Sequence, residues 1–371
     1  MDQDQIIKEI ITANQYNLAQ KEKEAKLLPI FKEQIKTQIE SLNNLKSFYN
    51  KFNVNIDDIN SLNELPPIPV NMFKKFDLRT CKKEDVLRVL HSSSTTTGIP
   101  SKIYIDKKTA FRQTRSFLST IKNFIGKERR PLLIIDTEEV DKAKTDTLTA
   151  RGAAIRAITN FATKKTYVMD LKNGDLDVNF DRLKEFCNNF EGQDIIVYGF
   201  TYIIWSRFYK ILKEKNLQLN FPNIKILHSG GWKKLIEQQV DKRTFNSEIA
   251  SIFNTSPKNV IDYYGMVEQV GVVFVDCEEG WKHVPDFAEV IIRDFYTMSE
   301  NEPKNPGLIE ILSILPTSYP GQALLTEDVG EIIGIDDCPC GRKGKYFTFR
   351  SRVQKVELRG CGDTFAERRG D

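Results

Sequence analysis

The stretch HSSSTTTGIPSK, His91 to Lys102, sets Ser92, Ser93, Ser94, Thr95, Thr96 and Thr97 directly before Gly98, with Pro100 and Lys102 close behind. Hydroxyls and backbone amides curved around a glycine can donate several hydrogen bonds to phosphate oxygens, and a lysine adds positive charge. The Walker pattern is absent, which excludes that kind of nucleotide site. Taken alone, the run fits a polar linker equally well.

Two later stretches carry groups that a nucleotide site needs. YYGMVEQ (Tyr263–Gln269) closes an apolar run with Tyr263, Tyr264, Gly265 and Glu268. An aromatic ring at a strand end can stack on a base, and a carboxylate can hold Mg²⁺ beside phosphates. LLTEDVGE (Leu324–Glu331) puts Asp328 just after another apolar run, where it could accept from two ribose hydroxyls. Each stretch alone also reads as an ordinary turn. A separate group, Cys277 with His283 and Cys338 with Cys340, offers two short ligand pairs that fit a tetrahedral zinc site. Reduced, partly buried thiols beside a core or active-site histidine would look the same.

These residues need a frame. Residues 3–50 read as helix: Ile6, Ile7, Ile10 and Ile11, then Leu27, Leu28, Phe31, Ile35, Ile39 and Leu42, recur at helical spacing. NELPPIPVNMF breaks that pattern with three prolines and reads as an extended crossing. RPLLIIDT, QDIIVYGF, NIKILHSGG and NVIDYYGMVE are compact apolar runs, as buried parallel strands are. Helical stretches at Thr109–Ile125, Arg182–Asn189, Tyr202–Lys215 and Lys233–Ile252 alternate with them. That alternation predicts an α/β sheet whose ligand sits beyond the carboxyl ends of its strands. After Gly265 the strands shorten and no long helices separate them, which predicts a smaller, more antiparallel region.

Composition narrows the class. The 371 residues carry 54 Lys and Arg against 51 Asp and Glu, so no global field recruits nucleic acid or an anionic membrane. No apolar run reaches bilayer length, and the acidic start lacks a signal-peptide pattern. The expectation is a cytoplasmic protein with reduced thiols.

The order of these motifs resembles the adenylate-forming superfamily of acyl-CoA synthetases and nonribosomal adenylation domains. More narrowly, PPIPVNMFKKFDL, HSSSTTTGIPSK, SGGWKK, YGMVEQ, KHVPDF and TSYPGQALLTEDVGEI together resemble the LuxE acyl-protein synthetase family, from about Leu65 to Cys361. The resemblance implies an adenylate-forming α/β domain over 65–350, an N-terminal helical segment over 1–64 and a short hinge and tail over 351–371. That tail is too short for the usual C-terminal domain with its catalytic lysine, so a full C-terminal domain is expected to be absent.

By the same resemblance, Ser92–Lys102 covers the phosphates of ATP and Tyr264 stacks on adenine. Glu268 binds Mg²⁺, Asp328 holds the ribose, and Gly230, Gly231 and Trp232 border the base. Arg350 reaches a ribose or phosphate. Cys361, preceded by Gly360, takes the acyl group as a thioester. Tyr198–Phe208 is a candidate acyl pocket, or simply a core helix. A Cys-x-Cys-Gly-Arg segment like that of Cys338–Arg342 occurs in the phenylacetate-CoA ligase branch, which supports a structural zinc. The implied reaction joins ATP and a carboxylic acid, with a reductase-like subunit, a carrier protein or CoA as final acceptor. A phenylacetate-type CoA ligase and a degenerate nucleotide-binding scaffold remain the alternatives.

Overall fold

The computed structural model describes residues 2–91, 100–142, 149–232 and 237–352. The N-terminal helical pattern resolves into three helices, Gln3–Thr12, Gln20–Ser41 and Asn43–Lys51, rather than one. At the break over 13–19 Ala13 is extended, and Tyr16 takes the left-handed conformation at φ 70°. The apolar stripe still works as one surface. Ile7, Ile11, Leu27, Phe31 and Ile35 are buried in one core with Phe287, Leu312 and Ile332 from the antiparallel strands. Lys23 is fully buried there, its Nζ 3.0 Å from Glu289 Oε2, and Lys345 Nζ lies 3.6 Å from the other Glu289 oxygen.

The proline-rich crossing forms β1 (Ile68–Pro69). A hairpin of β2 (Val86–His91) and β3 (Lys102–Asp106) follows, with His91 opposite Lys102. Asp106 then caps the helix Lys107–Ile125, its Oδ1 accepting from the Thr109 amide at 2.6 Å.

The expected parallel sheet is built from β4 (Arg130–Ile135), β5 (Ala162–Tyr167), β8 (Ile196–Phe200), β9 (Lys225–Ser229) and β10 (Val260–Tyr264), in the order β10-β9-β8-β4-β5. A small hairpin, β6 (Met169–Lys172) and β7 (Asp175–Val178), lies outside it. Alternation along each parallel strand explains why both faces are apolar. Leu133, Ile135, Val197 and Ile226 pack against the helices Phe180–Phe190 and Lys242–Ile252. Leu132, Ile134, Ile196 and Leu227 pack against Lys107–Ile125 and Ala150–Ile158. The helix expected over 233–252 begins at Lys242, where Asp241 caps it by accepting from the Thr244 amide. The stretch Thr201–Glu214 is helical with a π turn at Ile204–Tyr209.

From β11 (Phe274–Asp276) onward the sheet turns antiparallel, as the sequence predicts. β12 (Lys282–His283), β13 (Ala288–Arg293), β14 (Gly307–Ser313), β15 (Ala323–Ile335) and β16 (Lys345–Arg352) complete the order β13-β14-β15-β16-β12-β11-β10. β1 adds to β15 in parallel, so distant parts of the chain share one strand. Among the described residues no helix is long and apolar enough to cross a membrane.

Candidate active site

The parallel strands deliver their carboxyl ends to one edge of the sheet, and the motif residues sit there. β10 ends in Tyr263 and Tyr264, whose side chains point to opposite faces. The Tyr263 hydroxyl meets the Tyr198 hydroxyl at 2.8 Å inside the core. The Tyr264 ring stacks on Phe274 (6.0 Å, 23°) and on Phe349 (5.6 Å, 27°), and its hydroxyl donates to Asp328 Oδ2 at 2.7 Å. Burial, then the Asp328 charge, pushes the Tyr264 phenol well up, so it stays protonated and donates. Gly265 is placed tightly: a Cβ there would lie 3.3 Å from the Val272 carbonyl.

Asp328 is 3 % exposed in the middle of β15. Register irregularities flank it on both sides, between Leu308 and Glu310 of β14 and between Val329 and Gly330. Such bulges re-aim a side chain out of the regular pleat. Thr326 braces the turn, accepting from the Asp328 amide at 3.1 Å and donating to Ile309 O at 2.7 Å. The second Asp328 oxygen receives Arg352 Nε at 2.8 Å.

Glu268 lies in the short turn Val267–Gln269 and is 8 % exposed. Burial raises its pKa, while the Ser101 hydroxyl and the charges of Lys74 and Arg352 oppose that shift. A dry carboxylate with so little compensation suits a site that receives a cation.

Gly230 takes φ +84°, and a Cβ there would come 3.0 Å from the Phe200 ring. Trp232 packs edge-on to Trp205 at 5.9 Å and to Phe245 at 6.1 Å, while Gly231 has open space around it. Lys102 starts β3 with its side chain exposed. Ser92–Gly98 and Cys361 lie outside the described residues. Arg350 pairs with Glu331 Oε2 at 2.7 Å, and Arg352 is the arginine that reaches Asp328. The difference comes from the β15–β16 register, which sets Arg352 directly opposite Asp328. The candidate acyl segment contributes Tyr198, Ile203, Ile204, Trp205 and Phe208 to the two core clusters flanking the sheet.

A second centre stands apart from these residues. The ligand atoms of Cys277, His283, Cys338 and Cys340 all lie within 4.8 Å of one another. Cys277 Sγ is 3.9 Å from Cys338 Sγ, and Cys340 Sγ is 3.3 Å from His283 Nε2. A tetrahedral zinc with bonds of about 2.3 Å separates its ligands by about 3.8 Å, so the donor set and spacing both fit that ion. Burial, then Arg342, lowers the His283 pKa to about 4, leaving the imidazole neutral, as ligation requires. Tyr346 stacks on the ring at 5.5 Å and Tyr16 meets it edge-on at 5.9 Å.

Comparison with known proteins agrees with this fold. A 2-hydroxyisobutyryl-CoA ligase structure solved with 2-HIB-AMP superposes with a TM-score of 0.66 at 14% identity, covering 89% of this chain and 68% of that one. An open conformation of that ligase with 2-HIB-AMP and CoA gives 0.65, covering 90% and 71%. The long-chain-fatty-acid–luciferin-component ligase of Aliivibrio fischeri is 23% identical over 315 residues, 84% of this chain and 80% of that protein. Its Vibrio harveyi namesake is 23% identical over 306 residues, 82% and 78%. The profile of "Acyl-protein synthetase, LuxE" matches residues 2–369, and the chain belongs to that family of carboxylate-activating ligases.

Proposed function

We propose that this chain activates a fatty acid with ATP and passes the acyl group through Cys361 to a partner protein. The observation that carries the reading is the meeting of Tyr264, Asp328 and Arg352 beside the buried Glu268, at the carboxyl edge of the parallel sheet. A carboxylate oxygen of the acid attacks the α-phosphorus of ATP. The bond from that phosphorus to the bridging oxygen breaks, and pyrophosphate leaves with the electron pair. The Cys361 thiolate then attacks the acyl carbon of the adenylate and AMP departs, leaving a thioester. Negative charge builds on phosphate oxygens in the first step, so hydrogen-bond donors from Ser92–Lys102 act by electrostatic stabilisation. Mg²⁺ held by Glu268 would add neutralising charge. Tyr264 presents its ring to adenine, and Asp328 accepts from the ribose hydroxyls. Cys277, His283, Cys338 and Cys340 would hold a structural zinc, which would tie β11–β12 to the β15–β16 turn.

Free CoA as acceptor is the second reading, favoured by the likeness to a ligase solved with CoA. Incubation with ATP and a radiolabelled acid, without CoA, separates the two. The expected result is hydroxylamine-labile label on the wild-type protein that vanishes in Cys361→Ser. An unlabelled wild type that makes acyl-CoA once CoA is added overturns the acyl-protein route. ATP–pyrophosphate exchange across a panel of acids tests the activation step itself, and no exchange with any acid overturns that step.

A further inference from the structure

The residues of the Cys/His centre are sheltered unequally. Cys277 is 7 % exposed, Cys338 5 % and His283 0 %, whereas Cys340 is half-buried. His283 lies within β12, paired with Tyr346 of β16, and the rings of Tyr346 and Tyr16 pack on its imidazole. Cys340 lies on the β15–β16 turn. With Tyr16, Asn17, Asn123, Glu278 and Arg342 it lines a surface cavity of about 530 Å³. Arg342 is fixed there: its Nη1 donates to Glu278 Oε2 at 2.7 Å and its Nη2 to the Asn123 carbonyl at 3.0 Å, with the guanidinium 4.4 Å over the Phe124 ring. A partly open thiol beside a cation is where oxidants react, while thiols shut away from solvent are inert.

A second sulfur is within reach. The ligand atoms of the centre all lie within 4.8 Å of one another, and Cys277 comes from a different strand, whereas Cys338 is only two residues from Cys340 on the same turn. Resting on the structural-zinc reading above, we infer that this centre is a redox switch that opens at Cys340, where a peroxide oxidises the thiol, Cys277 closes a disulfide onto it and zinc is released. The Cys340 thiolate attacks one peroxide oxygen, the O–O bond breaks and hydroxide leaves, giving a sulfenic acid. The Cys277 thiolate then attacks the Cys340 sulfur, the S–O bond breaks and a second hydroxide leaves. Two thiolates have given two electrons to one peroxide, and only Cys338 and His283 remain for the ion. The new bond is about 2.0 Å long, so closing it draws the end of β11 toward the β15–β16 turn. β11 carries Phe274, whose ring stacks on Tyr264, and the switch thereby reaches the nucleotide site.

Hydrogen peroxide treatment of the zinc-loaded full chain tests this, with freed zinc read by a chromogenic chelator and disulfides by peptide mass mapping. Zinc and a Cys277–Cys340 disulfide should appear together, about one to one. ATP–pyrophosphate exchange should fall with them, and a thiol reductant plus zinc should restore it. Dimedone, which traps sulfenic acids, should mark Cys340 first in the wild type. Cys340→His keeps a zinc-ligating atom but removes the sulfur at the cavity, so it should hold its zinc through the same treatment. Zinc retained by the wild type overturns the switch, and so does a first dimedone adduct on Cys277 or Cys338. Release from Cys340→His at the wild-type rate, or release that leaves exchange unchanged, overturns it equally. A chain that binds no zinc even when the ion is added overturns the metal reading as well.

Discussion

The Tyr264 hydroxyl donates to Asp328 Oδ2 at 2.7 Å, joining two motifs 64 residues apart. The bond fixes the rotation of the phenol and so the plane in which its ring lies. One residue presents a flat apolar surface, the other an acceptor, and each orients the other. Adenosine offers a matching flat base and a pair of hydroxyls.

Asp328 should therefore read the ribose. Wild-type exchange activity should fall about tenfold to a hundredfold with 2′-deoxy-ATP, because a charge-assisted hydrogen bond to the Asp328 carboxylate is then lost. In Asp328→Ala the two nucleotides should perform alike, both with a raised KM. Steady-state exchange assays with each nucleotide measure this directly.

Glu268→Gln should trade activity for stability. Loss of the carboxylate proposed to hold Mg²⁺ should lower exchange about a hundredfold or more. Burial raises the Glu268 pKa, so the native state holds its proton more tightly than the unfolded chain does. Ionising it costs stability as pH climbs above the ordinary carboxylate range, and the cost is absent below that range. The glutamine variant should thus melt higher than wild type at pH 7, with the difference closing toward pH 4. Melting temperatures across that interval provide the check.

Elemental analysis should find zinc in the purified protein at about one ion per chain. Cys338→Ser should lower both the zinc content and the melting temperature, because a structural zinc contributes folding free energy. Hydrogen exchange should quicken first in β11 and β12, since Cys277 follows β11 and His283 lies in β12.

Arg293 Nε lies 2.5 Å from Glu310 Oε2, and both side chains are buried. Removing one partner strands the other charge, so Arg293→Met should cost about 3–5 kcal/mol. The double change Arg293→Met with Glu310→Leu should recover much of that loss. Urea unfolding of the three proteins tests both statements.

Much of the architecture was legible because the sheet is buried on both faces. Runs such as RPLLIID leave no other reading, and the change after Gly265 marks where parallel pairing stops. The break at 13–19 was not legible, since Tyr16 in the left-handed conformation is set by tertiary packing against Phe124 and His283. Arg352 was harder to place than Arg350, because which arginine meets Asp328 depends on a register that two bulges shift. Cys277 with His283 and Cys338 with Cys340 were readable as pairs, but their convergence needs β12, β15 and β16 already aligned.

Lys23 meets its partner Glu289 across 266 residues of chain. On the ribosome, the first helices emerge long before that glutamate is made. Until then the lysine has no anion, and Ile7, Ile11, Leu27 and Phe31 have no sheet to cover them. Synthesis at about 5–20 residues per second leaves that apolar stripe waiting for tens of seconds. Until β13 is made, that stripe is apolar surface open to a holding chaperone.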